Sequence, residues 1–341
     1  MEVPEISGPP VYDNAYVWLL MKGDAYLPGI YTSVYSVLRT NPEADLVVMV
    51  TPDVSERARE MILKVATHLF YIPYLSFDTL PMKTERQRQI YSKWINSSYT
   101  KWNMLALPYK KALFVDADTI HTHNTDEIFE IKAPAAPFAS PFVKPLGLIK
   151  SFYKGPKAPD GYPEHKSIIN KKIMMDTLNK GGVVITANMV LLEPDLSDYK
   201  KYIETITELS AKTPFGFKNS NSAPDEQSIC YFYTIIKKMN WTCLHQQYNY
   251  IAWKDGFIKD RVPKNIHYIS EIKPWVMKYN EYDDVISWYK MAAEAIDKTN
   301  IKPADILLKD ENVNAARAAN DKFVKKFINV NTILDIVNKQ L

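Results

Sequence analysis

Residues 110–124 read KKALFVDADTIHTHN and set two carboxylates, Asp116 and Asp118, one residue apart where an apolar run gives out. Alternate residues of an extended chain point to the same side, so both carboxylates can face one cation. Oxygen ligands suit Mg²⁺, Ca²⁺ or Mn²⁺, and such ions commonly clamp phosphate-bearing substrates. The same pair fits an acidic turn at a strand end with no ligand at all. His121 and His123 follow closely enough to be drawn into a metal cluster by spacing, but they read as surface residues beyond the site.

The elements that position the pair alternate in type. "AYVWLLM" (15–21), "DLVVMVTP" (45–52) and "HLFYIPYL" (68–75) are short apolar strands. Between them, 27–40 carries Ile30, Val34, Val37 and Leu38 at helical spacing, and 55–66 opens on a serine cap and reads as helix. Strand, helix, strand, helix, strand implies a parallel α/β sheet with crossover helices. Ligands in such sheets bind beyond the carboxyl ends of strands, where "ALFV" delivers Asp116 and Asp118. Further along, 85–106 and 197–212 read as helix, 182–194 as β-rich, and 225–239 as a helix with an acidic start. Segment 143–181 is proline-bearing and holds eight lysines against Asp160, Glu164 and Asp176. It reads as an exposed insertion with a helix in its second half, suited to act as a lid or to help bind an acceptor. Phe323, Phe327, Val330, Leu334, Val337 and Leu341 form a heptad-like seam, which fits a helix packed on its own domain or a homodimer contact.

Composition narrows the classes. The 341-residue chain can bury a sizeable core, its formal net charge is only +3, and its basic residues are scattered. Nothing resembles a nucleic-acid groove. Two cysteines, Cys230 and Cys243, make neither a zinc pattern nor a disulfide framework, and point to a reducing compartment. No run approaches the roughly 18–20 apolar residues of a membrane span, and "MEVPEISGPPVYDN" lacks the features of a leader. The expectation is a soluble, cytoplasmic protein.

"FVDADT" also resembles the nucleophile strand of haloacid-dehalogenase-like phosphatases, with Asp116 attacking phosphorus and Asp118 as acid and base. That motif usually opens its domain, whereas a whole α/β unit precedes it here.

Five blocks in order resemble a different family, the glycogenin-like retaining glycosyltransferases that include galactinol synthases. They are "AYVWLLMKGDAYLPGIYTSVYSVL", "YTKWNMLALPYKKALFVDADTI", "TANMVLLEPD", "PDEQSICYFY" and "NIHYISEIKPW", covering most of residues 15–275. The resemblance implies a Rossmann-like GT-A nucleotide-sugar fold with a mixed central sheet over residues 12–280, followed by a C-terminal helical extension over 281–341. It implies Asp116, Asp118 and His267 as ligands of Mn²⁺ (or Mg²⁺), and a UDP-sugar as donor. Lys273 would hold the diphosphate, Tyr26 would lie against the nucleobase, and Lys101 with Glu226 and Gln227 would face the transferred sugar. Leu19, Ala117, Thr186, Asn188 and Ser270 complete the implied donor contacts, and Asp225 joins Lys101, Glu226 and Gln227 in the catalytic set. The acceptor would be a glycan, a polyol or a protein.

Three departures from the family pattern stand out. Asn-Ala-Gly becomes Thr186-Ala187-Asn188, Glu226 stands where Asp is usual with Asp225 before it, and Ser270 replaces a glycine. A catalytically degenerate nucleotide-sugar-binding protein is therefore a second reading. The segment "YNYIAWKDGFIKD" does not match glycogenin's self-glucosylated tyrosine region, so self-glucosylation is not implied.

Overall fold

The computed structural model of the chain describes residues 4–138, 153–157, 163–181, 185–216, 223–251, 262–279 and 282–319. The first part of the Lys-rich segment and the 323–341 seam lie outside these residues. So does most of the stretch compared with the self-glucosylated region.

A nine-stranded mixed sheet forms the centre. β1 (Glu5–Ile6) sits at one edge, followed in space by β4 (His68–Tyr71), β3 (Asp45–Val50), β2 (Asn14–Leu20) and β5 (Lys111–Val115). β2, β3, β4 and β5 run parallel. Beyond β5 the direction breaks: β9 (Met189–Leu192) is antiparallel to both β5 and β7 (Ala135–Pro137), and β10 (Trp241–Leu244) and β8 (Ile168–Ile169) follow. The expectation of a mixed sheet is met. The strand DLVVMV is buried at every position and, after Asp45, apolar throughout, because the sheet is covered on both faces. Alternation decides the side: Tyr16, Trp18 and Leu20 enter one core, while Ala15 and Val17 enter the other.

α1 (Leu27–Leu38) is buried from Leu27 to Val37 because it has a neighbour on each side, the sheet within and the helix Asp283–Thr299 without. Tyr31 donates to Thr299 Oγ1 (2.6 Å) and Tyr35 to Glu294 Oε1 (3.1 Å) across that outer contact. Of the four apolar residues at helical spacing, Ile30, Val34 and Val37 are buried and Leu38, at the helix end, is 38% exposed. α2 (Glu56–Ile62) is capped by Ser55, as its sequence suggested.

The stretch 85–106 is not one helix. α3 (Glu85–Tyr91) has a Thr84/Gln87 capping box, and a 3₁₀ run then covers Ile95–Ala106. α3 stops at its C-cap Ser92, and Asn96, Ser97 and Ser98 lie within the 3₁₀ run, where Ser98 donates to Ile95 O (2.8 Å), a local bond of the kind that competes with the α-helix. The second half of the Lys-rich segment also differs from expectation. Ile169 extends the sheet edge, and Met174 and Leu178 of the helix Lys171–Gly181 are buried in the second core, so this half is integral rather than exposed.

Candidate active site

β5 ends at Val115, and the next three residues make the turn into β6 (Thr119–His121). β6 pairs antiparallel with β11 (Asn265–His267) in the register His267↔Thr119, and Tyr268 N donates to Asp118 O (2.9 Å). A distant histidine is thereby delivered beside the two aspartates. One ligand atom from each of Asp116, Asp118 and His267 lies within 4.8 Å of the others, a set that can close on a single ion. His267 Nδ1 bonds Asn249 Oδ1 (2.8 Å), which leaves Nε2 turned toward Asp118 Oδ1 at 3.4 Å. Two oxygen donors and one imidazole nitrogen fit Mn²⁺ or Mg²⁺, with further positions left for substrate oxygens.

Two lysines complete the electrostatics. Lys273 Nζ lies 2.6 Å from Asp118 Oδ2, and Lys101 Nζ lies 3.2 Å from Asp116 Oδ1 and 3.1 Å from Asp225 Oδ2. Burial raises the Asp118 pKa, but Lys273 and His267 outweigh it and hold the carboxyl well below the usual range. Burial also dominates at Asp116, where it is opposed by Lys101 and reinforced by Asp118, and the net shift is upward. Lys101 would lose basicity through burial alone; Asp116, Asp225 and Glu226 reverse this and keep it charged. Three carboxylates thus face two ammonium groups, an excess of negative charge that a dication would offset.

On the Lys101 side, Pro224 starts the helix Pro224–Tyr231, with Asp225 and Glu226 in its first turn. The Asp225 carboxylate is the one that pairs with Lys101, and its carbonyl accepts Trp102 Nε1 (3.0 Å). Glu226 Oε1 accepts Ala187 N (2.9 Å); burial, then the neighbouring Asp225 charge, raise its pKa to about 8. Gln227 and Asn188 are both fully buried. Asn188 ties strands together: its amide donates to Tyr248 O (3.1 Å) and its carbonyl accepts Asp116 N (3.0 Å).

On the Lys273 side, Tyr26 precedes α1 and stays 42% exposed, its ring edge-on to Trp275 at 5.2 Å. Leu19, near the end of β2, and Ser270, in the bend before Lys273, are half-buried. Gly29 makes the junction possible. A Cβ there would come within 2.6 Å of the Trp275 ring and 2.8 Å of Ala117 O, so only glycine lets α1, the Asp-Ala-Asp turn and the Lys-Pro-Trp segment meet.

The two histidines after the aspartates need correction. His121 is 1% exposed, in contact with Asn265 (3.2 Å) and edge-on to Tyr16, and His123 is half-buried. His121 is therefore not a surface residue, whereas His123 keeps part of its surface, and among the described residues neither joins the ligand set. Burial lowers the His121 pKa to about 3, so the ring is neutral at ordinary pH. Sequence reasoning missed Asn249, because its role depends on a contact with His267 that no local pattern announces. A cavity of about 840 Å³ lies elsewhere, lined by Arg39, Thr122, His123, Glu294, Asp297 and Arg317 among others. It contains none of the proposed ligands.

Comparison with known proteins bears on the fold and the family. The chain is 28% identical over 273 residues to "Uncharacterized protein R707" of Acanthamoeba polyphaga mimivirus, covering 76% of this chain and 82% of that protein. Its fold is similar to that of the galactosyltransferase LgtC, solved with donor and acceptor sugar analogues (12% identity, TM-score 0.51, 82% of this chain and 95% of that one). An active-site variant of LgtC matches alike (13% identity, TM-score 0.52). At such identities the likeness shows the fold alone, a GT-A glycosyltransferase fold. The model of glycosyl transferase family 8 matches residues 19–278, well over half of the chain. The chain belongs to glycosyl transferase family 8.

Proposed function

We propose that this glycosyltransferase is metal-dependent and retaining, and that it transfers a hexose from a UDP-sugar to a glycan, polyol or protein acceptor. The observation that carries the proposal is the convergence of Asp116, Asp118 and His267 within 4.8 Å, flanked by Lys273 and Lys101. A divalent ion held there would neutralise charge on the departing diphosphate. Lys273, now on Asp118, is placed to bind the same diphosphate, and Tyr26 and Trp275 offer an aromatic wall for the base. Lys101 and Asp225 orient the sugar as a charged pair, with Glu226 beside them. Positive charge developing at the anomeric carbon is helped by the nearby carboxylates and by hydrogen bonds to sugar hydroxyls. No enzyme nucleophile is assigned; the acceptor attacks from the face the diphosphate leaves.

A cytoplasmic, reducing setting belongs to this reading, supported by Cys230 and Cys243, two buried cysteines in neither a zinc pattern nor a disulfide framework. Among the described residues no helix is long and apolar enough to cross a membrane. Family membership leaves the phosphatase reading without support. The degenerate binding protein keeps one observation in its favour, the altered 186–188 motif.

The test is hydrolysis of a panel of UDP-sugars with Mn²⁺ and with chelator. Metal-dependent UDP release that disappears in Asp118→Asn supports the enzyme. Tight UDP binding without release from any donor supports the binding protein.

A further inference from the structure

The altered Thr186-Ala187-Asn188 segment lies against the residue that holds the histidine ligand. His267 Nδ1 meets Asn249 Oδ1 at 2.8 Å, and Asn249 Nδ2 donates to Thr186 Oγ1 at 3.2 Å. Asn249 is 4% exposed and His267 6% exposed, so no bulk water competes for these bonds. Asn188 fixes the same segment one residue earlier, through its bond to Tyr248 O (3.1 Å). The backbone closes the arrangement: His267 N donates to Tyr250 O (2.8 Å), and Tyr250 N to Asn265 O (3.0 Å).

We propose that Asn249 and Thr186 are positioning residues that hold His267 in the Nδ1–H tautomer, ring aimed at Asp118, for metal binding. Thr186 orients the Asn249 amide so that its oxygen faces the imidazole. That oxygen accepts the Nδ1 proton, and the Nε2 lone pair is left for the ion. Partners of this kind hold a ligand's tautomer and ring angle, and losing one typically costs about 10–100-fold in metal affinity. The departure at 186–188 is thus a brace for the metal ligand, whatever it does to the sugar contact. The inference rests on the metal reading above, so its test includes a measurement made without metal.

The full chain, with saturating UDP, is titrated with Mn²⁺ and free Mn²⁺ is followed by electron paramagnetic resonance. In parallel, ¹⁵N shifts of the His267 ring are recorded in metal-free protein. Asn249→Leu should weaken Mn²⁺ binding about 10–100-fold and move the ring away from the pure Nδ1–H form. Asn249→Asp, which keeps the acceptor, should retain both properties, and it guards against a folding artefact. Thr186→Val should show a smaller loss that Thr186→Ser restores. A folded Asn249→Leu protein with unchanged Mn²⁺ affinity and an unchanged ring tautomer would overturn the proposal. If the unaltered chain binds no Mn²⁺, the metal reading fails, and the tautomer measurement alone decides the role of Asn249.

Discussion

Two clusters of paired charge lie near the two ends of α1, and they use the same chemistry in different surroundings. Near its start, Asp116, Asp118 and Asp225 meet Lys101 and Lys273, with side chains between 7% and 24% exposed. Near its end, Arg39 pairs with Glu294 (3.3 Å) and Arg317 with Asp297 (2.5 Å), with side chains 37% to 54% exposed. Breaking one partner of a buried pair strands a charge in low dielectric, whereas an exposed pair exchanges its partner for water. The buried cluster also carries surplus negative charge beside an imidazole, whereas in the exposed one Arg39 and Arg317 match Glu294 and Asp297 one for one, although His123 lines the same hollow. Cavity size points the wrong way here, since the roughly 840 Å³ hollow belongs to the exposed cluster. Burial and unbalanced charge are the better guides to chemistry.

Substitutions can break or sharpen that contrast. The largest effect is expected at Asp118. Asp118→Asn should cut UDP release by about 100-fold or more, the scale of losing an electrostatic partner of the transition state; near-normal turnover would show that the cluster is structural. Lys101→Met leaves Asp116 and Asp225 facing each other without their shared cation. Chemical denaturation should register a loss on the order of 3 kcal/mol, unless bound Mn²⁺ compensates. Gly29→Ala forces the Trp275 ring and the Ala117 carbonyl apart. Overpacking of this kind costs about 1–3 kcal/mol, and a raised KM for the donor with a smaller change in kcat would place the damage at the nucleotide wall.

Glu226 gives a pH-dependent test. The folded carboxyl keeps its proton up to about 8, while the unfolded one loses it near 4.5, so the folded chain binds the extra proton between those values. Its contribution therefore makes stability fall as pH rises through that window. Glu226→Gln should remove this loss, raising Tm relative to the unaltered chain at pH 8.5 but not at pH 4. The smallest effect is expected in the exposed cluster, where Arg317→Ala should change stability by less than about 1 kcal/mol and leave UDP release unaltered.

Much of the buried cluster was legible in the sequence because strand ends are local features. An apolar run that stops at Asp116 marks both the β5 end and the carboxylates, and "KPW" marks the segment that brings Lys273. The pairing of β6 with β11 was not legible, since register across 140-odd residues depends on how two cores fill. The same holds for His121, whose short polar context resembles a surface turn although Tyr16 and Asn265 enclose it. Nor was the bond of Asn188 legible, a fully buried residue whose amide donates to the Tyr248 carbonyl far along the chain. The 85–106 stretch lies between these cases, because Asn96-Ser97-Ser98 announces weak helix propensity but not the 3₁₀ geometry that contains it.

The central claim is that the buried cluster is where metal and nucleotide meet. The most direct measurement is anomalous X-ray diffraction from crystals grown with Mn²⁺ and UDP. The account predicts one strong manganese peak bonded to Asp116, Asp118 and His267, with the diphosphate oxygens on its open side and Lys273 moved from Asp118 onto the phosphate. A peak in the groove between Arg39 and Arg317, or UDP bound with Lys273 still on Asp118 and no manganese beside it, would contradict the account.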